Sequence, residues 1–148
     1  MPVLLVVHHT PSPALQSLLE AARAGAALVP GVDVVTRPAL SASASDLLAA
    51  DAVLLGTPAN LGYMSGALKH FFDTVYYPCL EAKIGLPYGV YVHGQNDTTG
   101  AVRSIEKATT GMKWRVVSEP VLVVGEPTAA DRDSVTELGG TLAASISS

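Results

Sequence analysis

Apolar residues fall along this chain in two alternating rhythms. Short, nearly continuous runs at Val3 to Val7, Val32 to Thr36, Ala52 to Leu55 and Gly89 to Val92, with another inside Arg115 to Val124, carry the hydrophobicity of strands covered on both faces. Between them lie stretches with a single apolar stripe: Pro13 to Ala26, a short one near Ser45 to Ala50, Ser65 to about Tyr76, Thr98 to Thr109, and about Ala129 to Ile146. These predict helices. In the third, Leu68, Phe71, Phe72 and Val75 share one face, Lys69, His70 and Asp73 another, and Ser65 stands where an N-cap belongs. Alternation of strand and helix without interruption predicts an α/β fold with a doubly wound five-stranded parallel sheet, because parallel neighbours are joined by right-handed helical crossovers.

Length and composition narrow this further. With 148 residues and 49% hydrophobic content, the chain reads as one domain over residues 1–148 that buries roughly two thirds of its unfolded surface without metals or disulfides. A net charge of -4 with scattered Lys and Arg gives no basic field, so nucleic acid is excluded as a partner. Cys79 is the only cysteine, which rules out an internal disulfide and fits a reducing compartment. Val3 to Val7 is too short for a signal-peptide core, and nothing approaches the roughly 20 apolar residues of a membrane span. The expectation is a cytoplasmic protein without a membrane partner.

The most informative stretch runs from Gly56 through Thr57, Pro58, Ala59, Asn60, Leu61, Gly62, Tyr63, Met64 and Ser65 to Asp73. It joins a buried strand to an amphipathic helix through small residues, at the carboxyl end of the strand, where open α/β sheets place their ligands. The order of residues resembles the isoalloxazine-contacting segment of flavodoxin-like flavoproteins, particularly NAD(P)H-dependent FMN reductases, quinone reductases and multimeric flavodoxins. In that group G-[ST]-P followed by G-x-M-S-G-x-L-K-x-F-x-D recurs, and this chain matches it without a gap. The resemblance implies the flavodoxin strand order 2-1-3-4-5, FMN as cofactor, NAD(P)H as co-substrate, a quinone or similar small acceptor, and a homodimer or homotetramer.

By the same resemblance, Thr57, Pro58, Ala59, Asn60, Leu61, Gly62 and Tyr63 border the flavin ring. His93, Gly94, Gln95 and Asn96 form a second loop beside its pyrimidine side, where N–H groups of Gly94 and Gln95 would stabilise charge on the reduced ring. Ala59, Gly62 and Gly94 leave room for a stacked partner that Leu61 and Tyr63 wall. No catalytic side chain is required, since a flavin carries the redox chemistry while the protein binds and orients it. Asp97 or Thr98 caps the next helix whether or not a ligand is present.

The turn after the first strand, His8-His9-Thr10-Pro11-Ser12-Pro13-Ala14-Leu15, is where the resemblance places the FMN phosphate, on a helix amino terminus. Flavodoxins read roughly [ST]-x-[ST]-G-x-[ST] here. Thr10 and Ser12 keep hydroxyls, but Pro13 replaces the glycine and Leu15 the last hydroxyl. The loop then offers the N–H groups of Thr10, Ser12, Ala14 and Leu15. Two lost charge-assisted bonds at about 1.5 to 3 kcal/mol each lower affinity by several powers of ten, so weak FMN retention is expected. Without any ligand, Ser12 as N-cap and Pro13 as first helical residue also explain the turn.

Other functions fit less well. A dinucleotide domain lacks its G-x-G-x-x-G, and a receiver domain lacks its acidic cluster, since Gly56-Thr57 and His8-His9 occupy those places. Iron–sulfur relatives need a cysteine cluster. His9 and His93, roughly 10 Å apart across two strand spacings, make a poor zinc site. Quinone reductases of the tryptophan-repressor-binding type carry Arg and Phe at the places of Asn60 and Leu61. A flavodoxin-like electron carrier, or a flavodoxin-fold module without firm FMN binding, remain the alternatives. Tyr76, Tyr77 and Trp114 either close the core or, as expected here, form a subunit interface.

Overall fold

The computed structural model describes residues 1–147. Strand β1 (Val3–His8) leads through helix α1 (Pro13–Ala27) to β2 (Asp33–Pro38), and the short α2 (Ala44–Leu48) leads to β3 (Ala52–Asn60). A two-residue β4 (Tyr63–Met64) precedes α3 (Gly66–Cys79), followed by β5 (Pro87–Gly94), α4 (Thr99–Gly111), β6 (Arg115–Val116), β7 (Val121–Val124) and α5 (Ala129–Ile146). The long strands are parallel in the order β2, β1, β3, β5. β6 and β7 both pair with the outer edge of β5. With β4 set aside and the two edge pieces taken as one, this is the expected 2-1-3-4-5 arrangement.

Two differences from the sequence expectation have local causes. The fifth strand is broken between Val116 and Val121. Pro120 has no N–H to give the ladder, and the chain leaves and rejoins β5 around it. The segment after Leu55 is also not a loop at once: β3 continues to Asn60 and folds back antiparallel as β4, with Ala59 opposite Met64 and Asn60 opposite Tyr63.

Side chains alternate across the sheet into two cores. Leu4, Val6, Leu54 and Tyr91 face α1 and α5, whereas Leu5, Val7, Leu55, Val90 and Val92 face α2, α3 and α4. On the first side the helices touch at backbone distance, because a Cβ on Gly25 would lie 1.9 Å from the Thr136 carbonyl oxygen and one on Gly139 2.1 Å from that of Ala22. Trp114 corrects the interface expectation. It is buried, with its ring centroid 5.7 Å from Phe72 and 6.0 Å from Tyr88, so it closes the second core. Tyr77 is exposed and stacks edge-on against Tyr76 at 5.0 Å.

Candidate functional site

β1, β3, β5 and β7 all end on one rim of the sheet, and the turns leaving them form the site. The first turn is a capped helix start. Ser12 has extended backbone angles, and its Oγ accepts from Leu15 N–H at 3.2 Å, with Pro13 as the first helical residue. Leu15 is therefore spent twice, its N–H on the cap and its side chain in the core. The N–H groups of Thr10, Ser12 and Ala14 make no hydrogen bond among the described residues. That leaves three free donors at the positive end of α1 instead of four.

The second turn is a tight hairpin. Leu61 and Gly62 form its two-residue loop with φ of 50° and 75°, the left-handed pair of a type I′ turn. Glycine tolerates such angles, but for Leu61 they cost on the order of 1 kcal/mol. Its side chain is nevertheless fully exposed at the tip, and Tyr63 beside it is partly exposed. An apolar side chain held out on a strained backbone is the kind of local conflict that accompanies function.

The hairpin cannot swing freely. Met64 N–H donates to Ser104 Oγ at 3.0 Å, and a Cβ on Gly100 would lie 2.0 Å from the Gly62 carbonyl oxygen, so α4 grips it at two points. On the other side, Ser65 N–H donates to Thr57 Oγ1 at 3.1 Å, while the same hydroxyl donates to the Pro58 carbonyl at 2.8 Å. Thr57 and Pro58 are buried, and the Thr57 side chain makes only these internal bonds. Thr57 thus holds the hairpin base while Ala59, Asn60, Leu61, Gly62 and Tyr63 reach the surface or its edge.

The third turn starts at His93, buried, with Nε2 2.8 Å from the Gly125 carbonyl. Gly94 follows, buried, and its carbonyl accepts from Gly125 N–H at 2.9 Å. Gln95, Asn96 and Asp97 are exposed. Asp97 caps α4 by accepting from Thr99 N–H at 3.0 Å, and that bond holds its carboxyl below the usual carboxylate range. Thr98, at the N-cap position, makes no side-chain cap bond.

Two clefts lie along this rim. One, of about 330 Å³, is lined by Ala59, Leu61, Gly62, Gln95, Asn96 and Asp97. The other, of about 270 Å³, lies between the start of α1 and the start of α5 and includes Ser12, Ala14, His93, Gln95, Glu126 and Arg132. Gln95 lines both, so they adjoin, and each sits near the lower end of the roughly 300–1,000 Å³ range of small-molecule sites. The structure thus brings the three predicted turns to one edge. Glu126, Pro127 and Arg132 were not anticipated from the sequence. Their signal was positional, since the turn after the last strand opens on the same rim. Among the described residues no group of three or more His, Cys, Asp or Glu converges to hold a metal.

Two comparisons place this arrangement among known proteins. The chain superposes on the flavodoxin, WrbA-like protein from Agrobacterium tumefaciens with a TM-score of 0.80 at 17% identity, covering 98% of this chain and 97% of that one. For the two-electron reduced flavodoxin of Megasphaera elsdenii the TM-score is 0.80 at 19% identity, covering 95% and 98%. An oxidoreductase from Corynebacterium diphtheriae gives 0.72 at 22% identity, covering 97% and 96%. At such identities the likeness is one of fold. No curated protein matches the sequence. The family model of NADPH-dependent FMN reductases matches residues 28–129, a stretch holding the hairpin and the third turn but not the first. The chain belongs to this NADPH-dependent FMN reductase family, flavin-dependent proteins built here on a flavodoxin-like fold.

Proposed function

We propose that this protein is an FMN-dependent oxidoreductase that passes electrons from NAD(P)H through the flavin to a quinone or similar small acceptor. The observation that carries the reading is the pinned hairpin. It presents Leu61 on a left-handed backbone beside a cleft whose opposite wall is Gln95, Asn96 and Asp97. The donor set suits the group. Three unpaired N–H groups at Thr10, Ser12 and Ala14 match a phosphate, and the exposed apolar tip matches a planar ring. Bound there, FMN would supply two-electron acceptance and delivery.

The chain's own residues bind and orient. Thr10, Ser12 and Ala14 hold the phosphate end, and Leu61 and Tyr63 exclude water from one side of the ring. Gln95 spans both clefts, with Asn96 beside it, at the polar edge. Ala59 and Gly62, both small and both lining the cleft, leave the slot open to a second flat molecule, which favours successive occupation by nicotinamide and acceptor over a sealed carrier site. Gly94, by contrast, is buried behind Ala59 and does not line it. Tyr77 and Tyr76 on α3 are the apolar surface we assign to a homodimer or homotetramer contact, and buried, unpaired Cys79 fits a reducing cytoplasm.

The test is a fluorescence-quenching titration with FMN, followed by anaerobic addition of NADPH or NADH and then of a benzoquinone. Flavin binding, bleaching by the nicotinamide and recovery of colour by the quinone are expected. Binding without bleaching would convert the reading to an electron carrier. No FMN binding would remove it in favour of a flavodoxin-fold module.

A further inference from the structure

β1 closes on His8, and its imidazole Nδ1 lies 2.7 Å from Thr10 Oγ1. Thr10 is the first hydroxyl of the phosphate turn, and a hydroxyl has a single proton to give. When Nδ1 carries no hydrogen it accepts that proton, and Thr10 then offers an incoming anion only lone pairs. When Nδ1 carries a hydrogen, in the neutral Nδ1–H tautomer or in the imidazolium, it donates to Oγ1 instead, which frees the Thr10 proton to point at a phosphate oxygen. Only the imidazolium adds a positive charge beside the turn as well. We propose that His8 is a positioning residue for the phosphate turn: a phosphomonoester draws a proton onto its imidazole, which turns Thr10 from acceptor-facing to donor-facing and makes the site prefer FMN over riboflavin. This rests on the reading that FMN binds with its phosphate on this turn.

The surroundings of His8 support the linkage. Burial, then His9, then Arg23 of α1 hold its pKa below the ordinary histidine value. No carboxylate offsets them among the described residues. From β5, the neutral Tyr91 hydroxyl lies over Gly56, the register partner of His8. Arg37 and Asp46 are paired with each other, Arg37 opposite Val7 and so on the other face of the sheet from His8. Glu126 and Arg132 line the neighbouring cleft. A turn flanked by His9 and Arg23 resists a second cation at His8, and an arriving dianion removes that resistance.

The sign follows. Without ligand, His8 protonates at lower pH than a free histidine, and a bound phosphate raises that pH. By reciprocity, falling pH must tighten FMN through His8. The phosphate's own second ionisation near pH 6 acts in the opposite direction but is common to every variant, so the readout is the ratio of variant to wild-type Kd.

FMN and riboflavin Kd values at pH 7.5 and 5.5 are measured by flavin fluorescence for wild type, His8→Gln and Thr10→Val. The FMN ratio of His8→Gln to wild type is expected to widen about tenfold on acidification, within the usual span of coupled binding, while the riboflavin ratio stays flat. With Thr10→Val present, adding His8→Gln should change little. NMR titration of His8 in the unmodified protein guards against misfolded variants, and its midpoint should rise with FMN but not with riboflavin. A flat FMN ratio, or equal movement with riboflavin, overturns the role of His8 while leaving FMN binding intact. Absence of FMN binding at both pH values overturns the site reading and this inference together.

Discussion

Replacing Gly100 by alanine opposes two quantities that can both be read from the structure. Gly100 is the second residue of α4, where alanine is favoured by about 1 kcal/mol of helix propensity. Against this, the new Cβ would stand 2.0 Å from the Gly62 carbonyl oxygen and 2.7 Å from its carbon. The obstacle is backbone, so no rotamer change relieves it. The hairpin has to retreat by about 1.4 Å to reach ordinary contact at 3.4 Å. The Met64 N–H to Ser104 Oγ bond resists that retreat. Overpacking of this kind costs about 1–3 kcal/mol, which outweighs the propensity gain.

Gly100→Ala is therefore expected to lower stability by about 1 kcal/mol, seen as an earlier urea midpoint with unchanged slope. FMN affinity should fall about tenfold or more, because binding groups need placement within about 0.5 Å. The control is Gly111→Ala on the same helix, where a Cβ meets nothing within 4 Å and affinity should not move. If Gly100→Ala is at least as stable as the parent and binds FMN within twofold of it, the hairpin is not wedged by α4 and does not wall the flavin.

Three further outcomes follow from single contacts. Leu61→Asn relieves a left-handed leucine and should raise the thermal midpoint, by about 1 kcal/mol of stability, while weakening FMN; a loss of stability would mean that the exposed leucine packs in solution. Gly139→Ala, with its Cβ 2.1 Å from the Ala22 carbonyl oxygen, should destabilise by about 2–3 kcal/mol in urea without altering flavin affinity in the folded fraction; an affinity change would show that α1 and its phosphate turn shift with α5. Tyr91→Phe removes a fully buried hydroxyl that has no partner and should stabilise by about 1 kcal/mol by calorimetry; destabilisation would point to an ordered partner such as water.

Strand and helix placement was legible because each element's own residues dictate it. The uninterrupted apolar run of β3 and the Ser65 cap with its Leu68, Phe71, Phe72 and Val75 face needed no distant information. The hairpin was not legible. Gly62 invites a turn, but nothing local demands that Leu61 adopt a positive φ, and the conformation is held by Ser104 and Gly100, about forty positions along the chain. Trp114 misled for a similar reason. An amphipathic aromatic before an edge strand suits an interface, and only the packing of Phe72 and Tyr88 around it decides for the core. At the site, Thr10 and Ser12 were visible as hydroxyls and Ser12 also as the N-cap of α1, which the structure bears out, whereas the link from His8 to Thr10 depends on backbone geometry.

The interrupted outer strand bears on how copies of this molecule meet. An open sheet normally presents unpaired N–H and C=O groups along its flanks, a template on which another chain can add. Here one flank is two short pieces separated around Pro120, and the other is β2, six residues long, with Arg37 exposed and Pro38 closing it. Neither offers a long, flat ladder. A chain this rich in aliphatic residues is thereby guarded against edge-to-edge polymerisation.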